Sequence, residues 1–187
     1  GIGNMNTKFK IQKVELNSNK VIKEFGEFET IPKGIPFDIC KKAYESNIYL
    51  KPSGEKIVLP YRYTNVIEIY NLKDYSNIAV QEIDAYDVNF NPQKSKPSNM
   101  VNTKETRRAF LRGTVTDKYI YLLYSGKIST DDNWNYGNYV YIYDWDGNPI
   151  KKLILDTAIN KLGISRDDKI LYSYNDKTGY IIQAKIN

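Results

Sequence analysis

Histidine is missing from all 187 residues of this chain. Its absence excludes Ser-His-Asp and Cys-His nucleophile systems, histidine general bases and histidine-ligated zinc. Cys40 is the one cysteine, so the chain can form no internal disulfide. We expect Cys40 to be a small buried apolar side chain. We predict no catalytic residue, no metal site and no cofactor.

Long apolar runs are also absent. No stretch of 18 apolar residues exists, so we predict no transmembrane segment. The N-terminal residues have neither the charged nor the apolar region of a signal peptide. The net charge is +5 and the pI is near 9.0. Because the lysines are scattered and no basic stripe is present, we expect no nucleic-acid partner.

Apolar and aromatic residues are plentiful: 41% of the chain is hydrophobic and 17 residues are tyrosine. Residues 139–155 contain the clearest local pattern, because Asp146-Gly147-Asn148 separates two runs of β-branched and aromatic residues. Asp-Gly readily adopts the positive φ angles of a tight hairpin turn. Alternation along the first strand gives two bulky apolar faces, so we predict a sheet that is covered on both sides.

The strand pattern repeats along the chain. We predict a leading hairpin at residues 8–25, two complete four-stranded units at 43–83 and 107–155, and an incomplete unit at 158–186, all within one domain of residues 1–187. Residues 26–38 are predicted to be a loop. A repeat of about 50 to 60 residues with four strands each is typical of β-propeller blades. The predicted fold class is therefore all-β, a β-propeller of four-stranded antiparallel meanders.

Several segments resemble a known family. They are Leu50-Lys51-Pro52-Ser53-Gly54-Glu55-Lys56-Ile57, Val66-Ile67-Glu68-Ile69-Tyr70-Asn71-Leu72, Tyr143-Asp144-Trp145-Asp146-Gly147-Asn148-Pro149 and Asp168-Lys169-Ile170-Leu171-Tyr172. They are similar to the TolB-like six-bladed β-propeller proteins of Bacteroidetes, from about residue 40 onward. The resemblance implies an exported protein, periplasmic or at the cell surface. Lipid anchoring is a further implication of the resemblance. This sequence, however, lacks the N-terminal lipobox cysteine that such an anchor uses.

The predicted blades number about three and a half, whereas closed propellers usually have four to eight. Three arrangements would cover the apolar faces of the end blades. The chain is the C-terminal part of a longer six-bladed protein, or two chains associate, or the hairpin at 8–25 pairs with the unfinished sheet at 180–186. We favour the first, with self-association as a consequence of it.

The predicted binding face follows from the lengths of the connections. In a four-strand meander the strand 1–2 and 3–4 turns share one end of the sheet, and these are short here. The opposite end carries both long loops, 84–106 and 125–138. Functional residues concentrate on loops held by a rigid scaffold, so this end is the predicted ligand face.

Seven residues are candidate ligand contacts on that face. In the second long loop, Asp131, Asp132, Trp134 and Tyr136 would suit stacking against a sugar ring and hydrogen bonding to its hydroxyls. Alternatively, the two aromatic residues pack onto the blade and the acids are only solvated. Arg107, Arg108 and Arg112 lie at or beside a predicted innermost strand. They would hold an anionic ligand or, in the alternative interpretation, pair with nearby carboxylates.

Two functions remain open at this stage. The first is a non-enzymatic binding or scaffold propeller of the cell envelope, with a protein or glycan ligand on the long loops. The second is a carbohydrate- or lactone-active hydrolase or lyase that uses carboxylates. Asp38, Asp84, Asp87 and Asp117 fall near predicted strand ends and are the carboxylates considered for it. An enzyme should bring carboxylates together with strongly perturbed pKa values, and a scaffold should not.

Overall fold

The computed structural model describes residues 7–28, 35–81, 85–96, 99–176 and 178–186. Parts of four predicted segments lie outside these ranges, namely 29–34 of the loop at 26–38, 82–83 of the unit at 43–83, 84 and 97–98 of the first long loop, and 177 of the unit at 158–186. The elements in chain order are β1 (Phe9–Glu15), β2 (Lys20–Glu27), α1 (Phe37–Ala43), β3 (Tyr49–Leu50), β4 (Lys56–Pro60), β5 (Val66–Asn71), β6 (Asn77–Gln81), β7 (Phe110–Val115), β8 (Tyr119–Tyr124), β9 (Gly137–Asp144), β10 (Pro149–Ile159), β11 (Gly163–Ile164), β12 (Ile170–Asn175) and β13 (Tyr180–Lys185).

Every described sheet is an antiparallel meander of sequence neighbours. The hairpin β1–β2 forms one sheet, β3–β6 and β7–β10 form two four-stranded sheets, and β11–β13 form a three-stranded sheet. The all-β class and the four-stranded meanders are confirmed. Strand β10 continues to Ile159, past the predicted end at residue 155, because Ile159 pairs with Gly137 beyond a break in the register.

The sheets stack in chain order because their central strands are apolar on both faces. In β8, Ile120 and Leu122 face a cluster shared with β4 and β5. The intervening side chains, Tyr121 and Leu123, face a second cluster shared with the last sheet through Leu171. A third cluster joins the leading hairpin to the first four-stranded sheet; its buried members are Phe25, Ile57, Leu59 and Tyr70. The predicted burial of both faces of residues 139–145 is confirmed by the same alternation.

The turn between β9 and β10 also contacts the preceding sheet. Gly147 has a φ of +83°, which confirms the positive φ expected of this turn. A Cβ at this position would lie 2.6 Å from Val80 Cγ2, so only glycine fits against β6. The Trp145 side chain is buried, and its Nε1 donates to the carbonyl oxygen of Thr116 at 3.0 Å. This hairpin is therefore fixed both to its own sheet and to its neighbour.

A buried polar network holds the leading hairpin on the first four-stranded sheet. Lys10 Nζ lies 2.6 Å from Glu68 Oε1. Glu68 Oε2 accepts hydrogen bonds from Tyr61 OH at 2.8 Å and from Tyr70 OH at 2.7 Å. Glu68 is 9% exposed, so its charge depends on these partners rather than on water. Burial and the Glu68 charge raise the pKa of Tyr61, which keeps its hydroxyl protonated and able to donate.

Of the three arrangements that the sequence left open, one is not found, and one sequence-based expectation is wrong. The hairpin does not pair with the last sheet, since β1 and β2 pair with each other and, in the described part of the chain, β13 pairs with β12. The wrong expectation concerns the loop predicted at 26–38, because α1 begins at Phe37. The helix follows Pro36 without a side-chain cap and buries Ile39, Cys40 and Ala43, so tertiary packing rather than local signals stabilises it.

The side chain of Cys40 is 2% exposed, which confirms its predicted burial. Burial raises the pKa of its thiol, so it has little thiolate character. Among the described residues, no helix combines the length and apolar character that crossing a membrane requires.

The glycine at the β9–β10 turn provides a test of the stacking. We expect Gly147→Ala to lower the free energy of unfolding by about 2–3 kcal/mol, because the methyl group must displace Val80 in addition to straining the backbone. Gly54→Ala is the matched control, since Gly54 also has a positive φ, +79°, and open space around it. We expect that variant to cost about 1 kcal/mol in urea unfolding. Equal losses in the two variants would contradict the contact between sheets.

The Lys10–Glu68 pair provides a second test. Lys10→Met should cost about 3 kcal/mol in the free energy of unfolding, because it leaves the Glu68 carboxylate buried without its cation. The matched control is Lys8→Met, which breaks the Lys8–Glu27 pair at 2.7 Å, whose side chains are 60% and 49% exposed. We expect a loss below about 1 kcal/mol there. Similar losses in both lysine variants would show that burial of the first pair does not matter.

Candidate functional site

The two long connections of the predicted ligand face pair with each other. Arg108 N donates to Lys127 O, and Gly126 N donates to Arg108 O, both at 2.8 Å. Ser129 N donates to Thr106 O, and the Ser129 hydroxyl donates to Thr103 O at 2.6 Å. Backbone bonds therefore fix the positions of side chains on both connections.

Segment 125–136 is internally ordered as well. Asp131 Oδ2 accepts from Ile128 N at 2.9 Å, so this carboxylate closes a turn. The Ser125 hydroxyl donates to Trp134 O at 2.7 Å, and Asn133 adopts a φ of +56° between them. Asp132 is exposed. The first of the two predicted acids thus has a structural contact, and the second is on the surface.

Trp134 is half-buried and lies beside an arginine. The Arg108 guanidinium carbon is 5.3 Å from the centre of the Trp134 ring and 5.1 Å from that of Tyr63. Burial, followed by the positive charge of Arg62, lowers the pKa of Arg108. The structure thus brings two of the predicted site residues into contact, and a guanidinium lies over the ring that was expected to stack on a sugar.

Tyr136 lines a cleft between segment 125–136 and the last sheet. Its hydroxyl donates to Asp176 Oδ2 at 2.7 Å, and Asn160 Nδ2 donates to the same oxygen at 2.8 Å. The hydrogen bond from Tyr136 lowers the pKa of Asp176, so the carboxylate stays ionised and accepts hydrogen bonds at neutral pH. The same bond raises the pKa of Tyr136. Asn160 Oδ1 is buried and has no hydrogen-bond partner.

The cleft has a volume of about 270 Å³. Its lining combines aromatic, amide, charged and apolar side chains, contributed by Lys127, Asn133, Tyr136, Thr157, Ala158, Ile159, Tyr174, Asn175, Asp176 and Ile182. Such a mixture can contact the apolar face of a ring and hydrogen-bond to its polar edge. Sequence reasoning found Tyr136 and missed Asp176, which follows the last residue of β12 and approaches Tyr136 only through the stacking of sheets.

The remaining predicted arginines occupy different positions. Arg107 NH1 donates to Gly126 O at 3.0 Å, and its guanidinium lies 5.4 Å from the centre of the Tyr86 ring. Arg112 is exposed on β7. Arg62, which was not predicted, pairs with Glu45 at 3.1 Å.

The described acidic residues considered for catalysis each accept a hydrogen bond in a different part of the chain. Asp87 accepts from Tyr44 OH at 2.5 Å, Asp117 accepts from Ser53 N at 3.0 Å, and Asp38 accepts from Ile39 N at 2.9 Å. Asp84 lies outside the described residues. Within those ranges, no three cysteine or acidic side chains come close enough together to hold a metal ion.

Three solved structures are similar to parts of this chain. The β-propeller domain of Cps50 (Swd1) from Myceliophteria thermophila matches with a TM-score of 0.49 and 11% identity, over 94% of this chain and 47% of that one. The Dos1 propeller matches with a TM-score of 0.40 and 17% identity, over 75% and 33% of the two chains. The tricorn protease matches with a TM-score of 0.37 and 11% identity, over 96% and 23%. This chain therefore spans about half or less of each of these structures.

No curated protein matches the sequence significantly. The sequence profile of the TolB-like 6-blade propeller-like family matches residues 3–167, which is most of the chain. The profile agrees with the resemblance seen in the turn and strand segments and with the four-stranded meanders. The chain belongs to the TolB-like 6-blade propeller-like family.

Proposed function

We propose that this chain is part of a non-enzymatic binding or scaffold propeller of the cell envelope, and that it holds a glycan on the long-loop face. The observation that carries the proposal is the cleft at Tyr136 and Asp176. Its carboxylate is ionised and is held by two side-chain donors, so a ligand would meet a fixed acceptor. Fixed polar groups beside apolar walls give a binding site its orientation and specificity.

The size and lining of the cleft favour one sugar ring. A volume of about 270 Å³ is slightly below the range for drug-sized ligands, which starts at about 300 Å³, so the cleft suits a small ligand. Tyr136 contributes an aromatic surface to the lining. Asn133, Asn175 and Asp176 provide the amide and carboxylate groups that sugar hydroxyls require.

The enzymatic alternative has less support. Glycoside hydrolysis usually requires one carboxylic acid with a raised pKa and a second carboxylate across the bond. Among the described acidic side chains, each pKa that shifts is lowered; these are Glu24, Glu45, Glu55, Asp74, Asp144, Asp167 and Asp176. Carboxylates of this kind accept hydrogen bonds and do not act as acids at neutral pH.

The envelope location rests on the family resemblance. The outer side of the last sheet supports the expectation of a further partner there, either more of a longer chain or a second copy. Ile181 is 77% exposed on β13, and Tyr172 and Tyr174 are exposed beside it on the same face of β12. Apolar side chains grouped in this way usually contact another protein surface.

We expect the isolated chain to self-associate through this sheet. Light scattering coupled to size exclusion should give a mass above that of the monomer. Ile181→Lys should restore the monomer, because it places a charge in the exposed patch. The matched control is Ile22→Lys on β2, an apolar residue that is 57% exposed on the leading hairpin. A stable monomer for the unmodified chain would contradict this expectation.

The glycan site can be tested by array screening followed by calorimetry on the best ligand. Asp176→Asn should weaken binding at least about tenfold, since a hydrogen bond to a charged group is worth about 1.5–3 kcal/mol. Tyr136→Ala should weaken it as well, whereas Tyr172→Ala should not, because Tyr172 lies outside the cleft lining and on the face of β12 opposite to the buried Leu171. Absence of glycan binding by the unmodified chain, or equal effects of the two tyrosine variants, would refute the site.

A further inference from the structure

Arg62 and Arg108 lie near each other at the edge of the long-loop face where β7 begins, and Arg107 precedes Arg108 in the chain. Arg62 belongs to the connection between β4 and β5, and its carbonyl oxygen accepts from Ala109 N at 2.9 Å. Residue 62 therefore runs beside residues 108–109. The charge of Arg62 is near enough to lower the pKa of Arg108, after the larger effect of burial. We call Arg62, Arg107 and Arg108 the arginine cluster.

The cluster has more positive charge than its surroundings balance. Glu45 is the carboxylate that pairs with it, and its two oxygens are already used by Arg62 at 3.1 Å and by Lys42 at 2.8 Å. Among the described residues, Arg107 and Arg108 form no salt bridge with an acidic side chain. The buried Nε atoms of Arg62 and Arg108 also have no hydrogen-bond partner. Because a partly buried cation without a counter-charge is costly, an anion here would be stabilised.

Aromatic rings hold the guanidinium groups in place. Tyr63 and Trp134 lie against Arg108, and Tyr86 lies against Arg107, at 5.1 to 5.4 Å. Arg107 NH1 donates to Gly126 O, and Arg108 shares a side-chain hydrogen bond with Tyr63. The other in-plane N–H groups of a stacked guanidinium are available for acceptors, and its fork matches the two oxygens of a carboxylate or phosphate. Arg107 is exposed and Arg108 is half-buried, so a ligand can reach both residues.

We propose that the arginine cluster is a binding site for an oxyanion, either a carboxylate or a phosphate group. The site differs from the Tyr136–Asp176 cleft and does not depend on the glycan proposed there. The two are joined through segment 125–136, because Asn133 lines the cleft and the next residue, Trp134, contacts Arg108. A ligand that carries an acidic group could therefore contact both.

The proposal is tested with citrate and inorganic phosphate as separate probes, using calorimetry and tryptophan fluorescence. Trp134 is the reporter, since it contacts Arg108, whereas Trp145 is buried against Thr116. We expect saturable binding of at least one anion, with an affinity that falls as sodium chloride is raised. The preferred probe distinguishes a carboxylate ligand from a phosphate ligand.

Four variants separate a specific site from general attraction. Arg108→Gln should lower the affinity at least tenfold. Arg108→Lys should also lower it, because lysine keeps the charge and loses the planar fork. Arg107→Gln removes an exposed side chain and tests the site if the Arg108 variants fold poorly. Arg166→Gln is the control, since it removes one exposed positive charge at the short turn before β12 and should change the affinity less than twofold.

Two results would overturn the proposal. One is the absence of saturable binding of either anion by the unmodified chain. The other is an equal loss in Arg166→Gln and Arg107→Gln, which would mean that net charge alone attracts the anion. An Arg108 or Arg107 variant that loses anion binding and keeps glycan binding would support the arginine site without affecting the proposal for the cleft. The two proposals can therefore be refuted independently.

Discussion

The structure depends on one constraint, which is that its central strands are apolar on both faces. Strand β8 has Ile120 and Leu122 on one face and Tyr121 and Leu123 on the other. Exposure of either face to water would therefore lower the stability of the fold. Burial contributes roughly 25 cal/mol for each Å² of apolar surface, so each such sheet is stable only between two neighbours. Stacking then decides which ends of the meanders lie together, and it places both long connections on one face.

Polar groups within the stack connect the core to that face. Glu68 stands at a position where alternation along β5 would suit an apolar residue, and Lys10, Tyr61 and Tyr70 satisfy its oxygens. A buried network of this kind is rigid when every member is paired. Tyr61 immediately precedes Arg62, so the network that fixes the hairpin also fixes the start of the connection that carries part of the arginine cluster.

The sequence was sufficient for features that local chemistry decides. The Asp-Gly turn, the alternation in β9 and the repeated meander follow from strand geometry and could be predicted. Helix α1 could not be predicted from the sequence, because Pro36 provides no side-chain cap and the helix is stabilised by the burial of Ile39 and Cys40. The contact between Tyr136 and Asp176 spans 40 residues and exists only because two sheets stack. The stacking of Arg108 on Trp134 depends on the pairing of two loops, which leaves no periodic signal in the sequence.

The two tryptophans illustrate why loops and not strands carry the candidate sites. Trp145 continues the alternation of β9, so its ring is 5% exposed and its one donor is satisfied by Thr116 O. Trp134 lies in a segment without strand alternation, and it contacts a guanidinium whose pKa is lowered by burial. The first arrangement is complete within the chain. The arrangement at Trp134 includes the Arg108 guanidinium, which forms no salt bridge with an acidic side chain among the described residues. The proposed oxyanion would provide the missing negative charge.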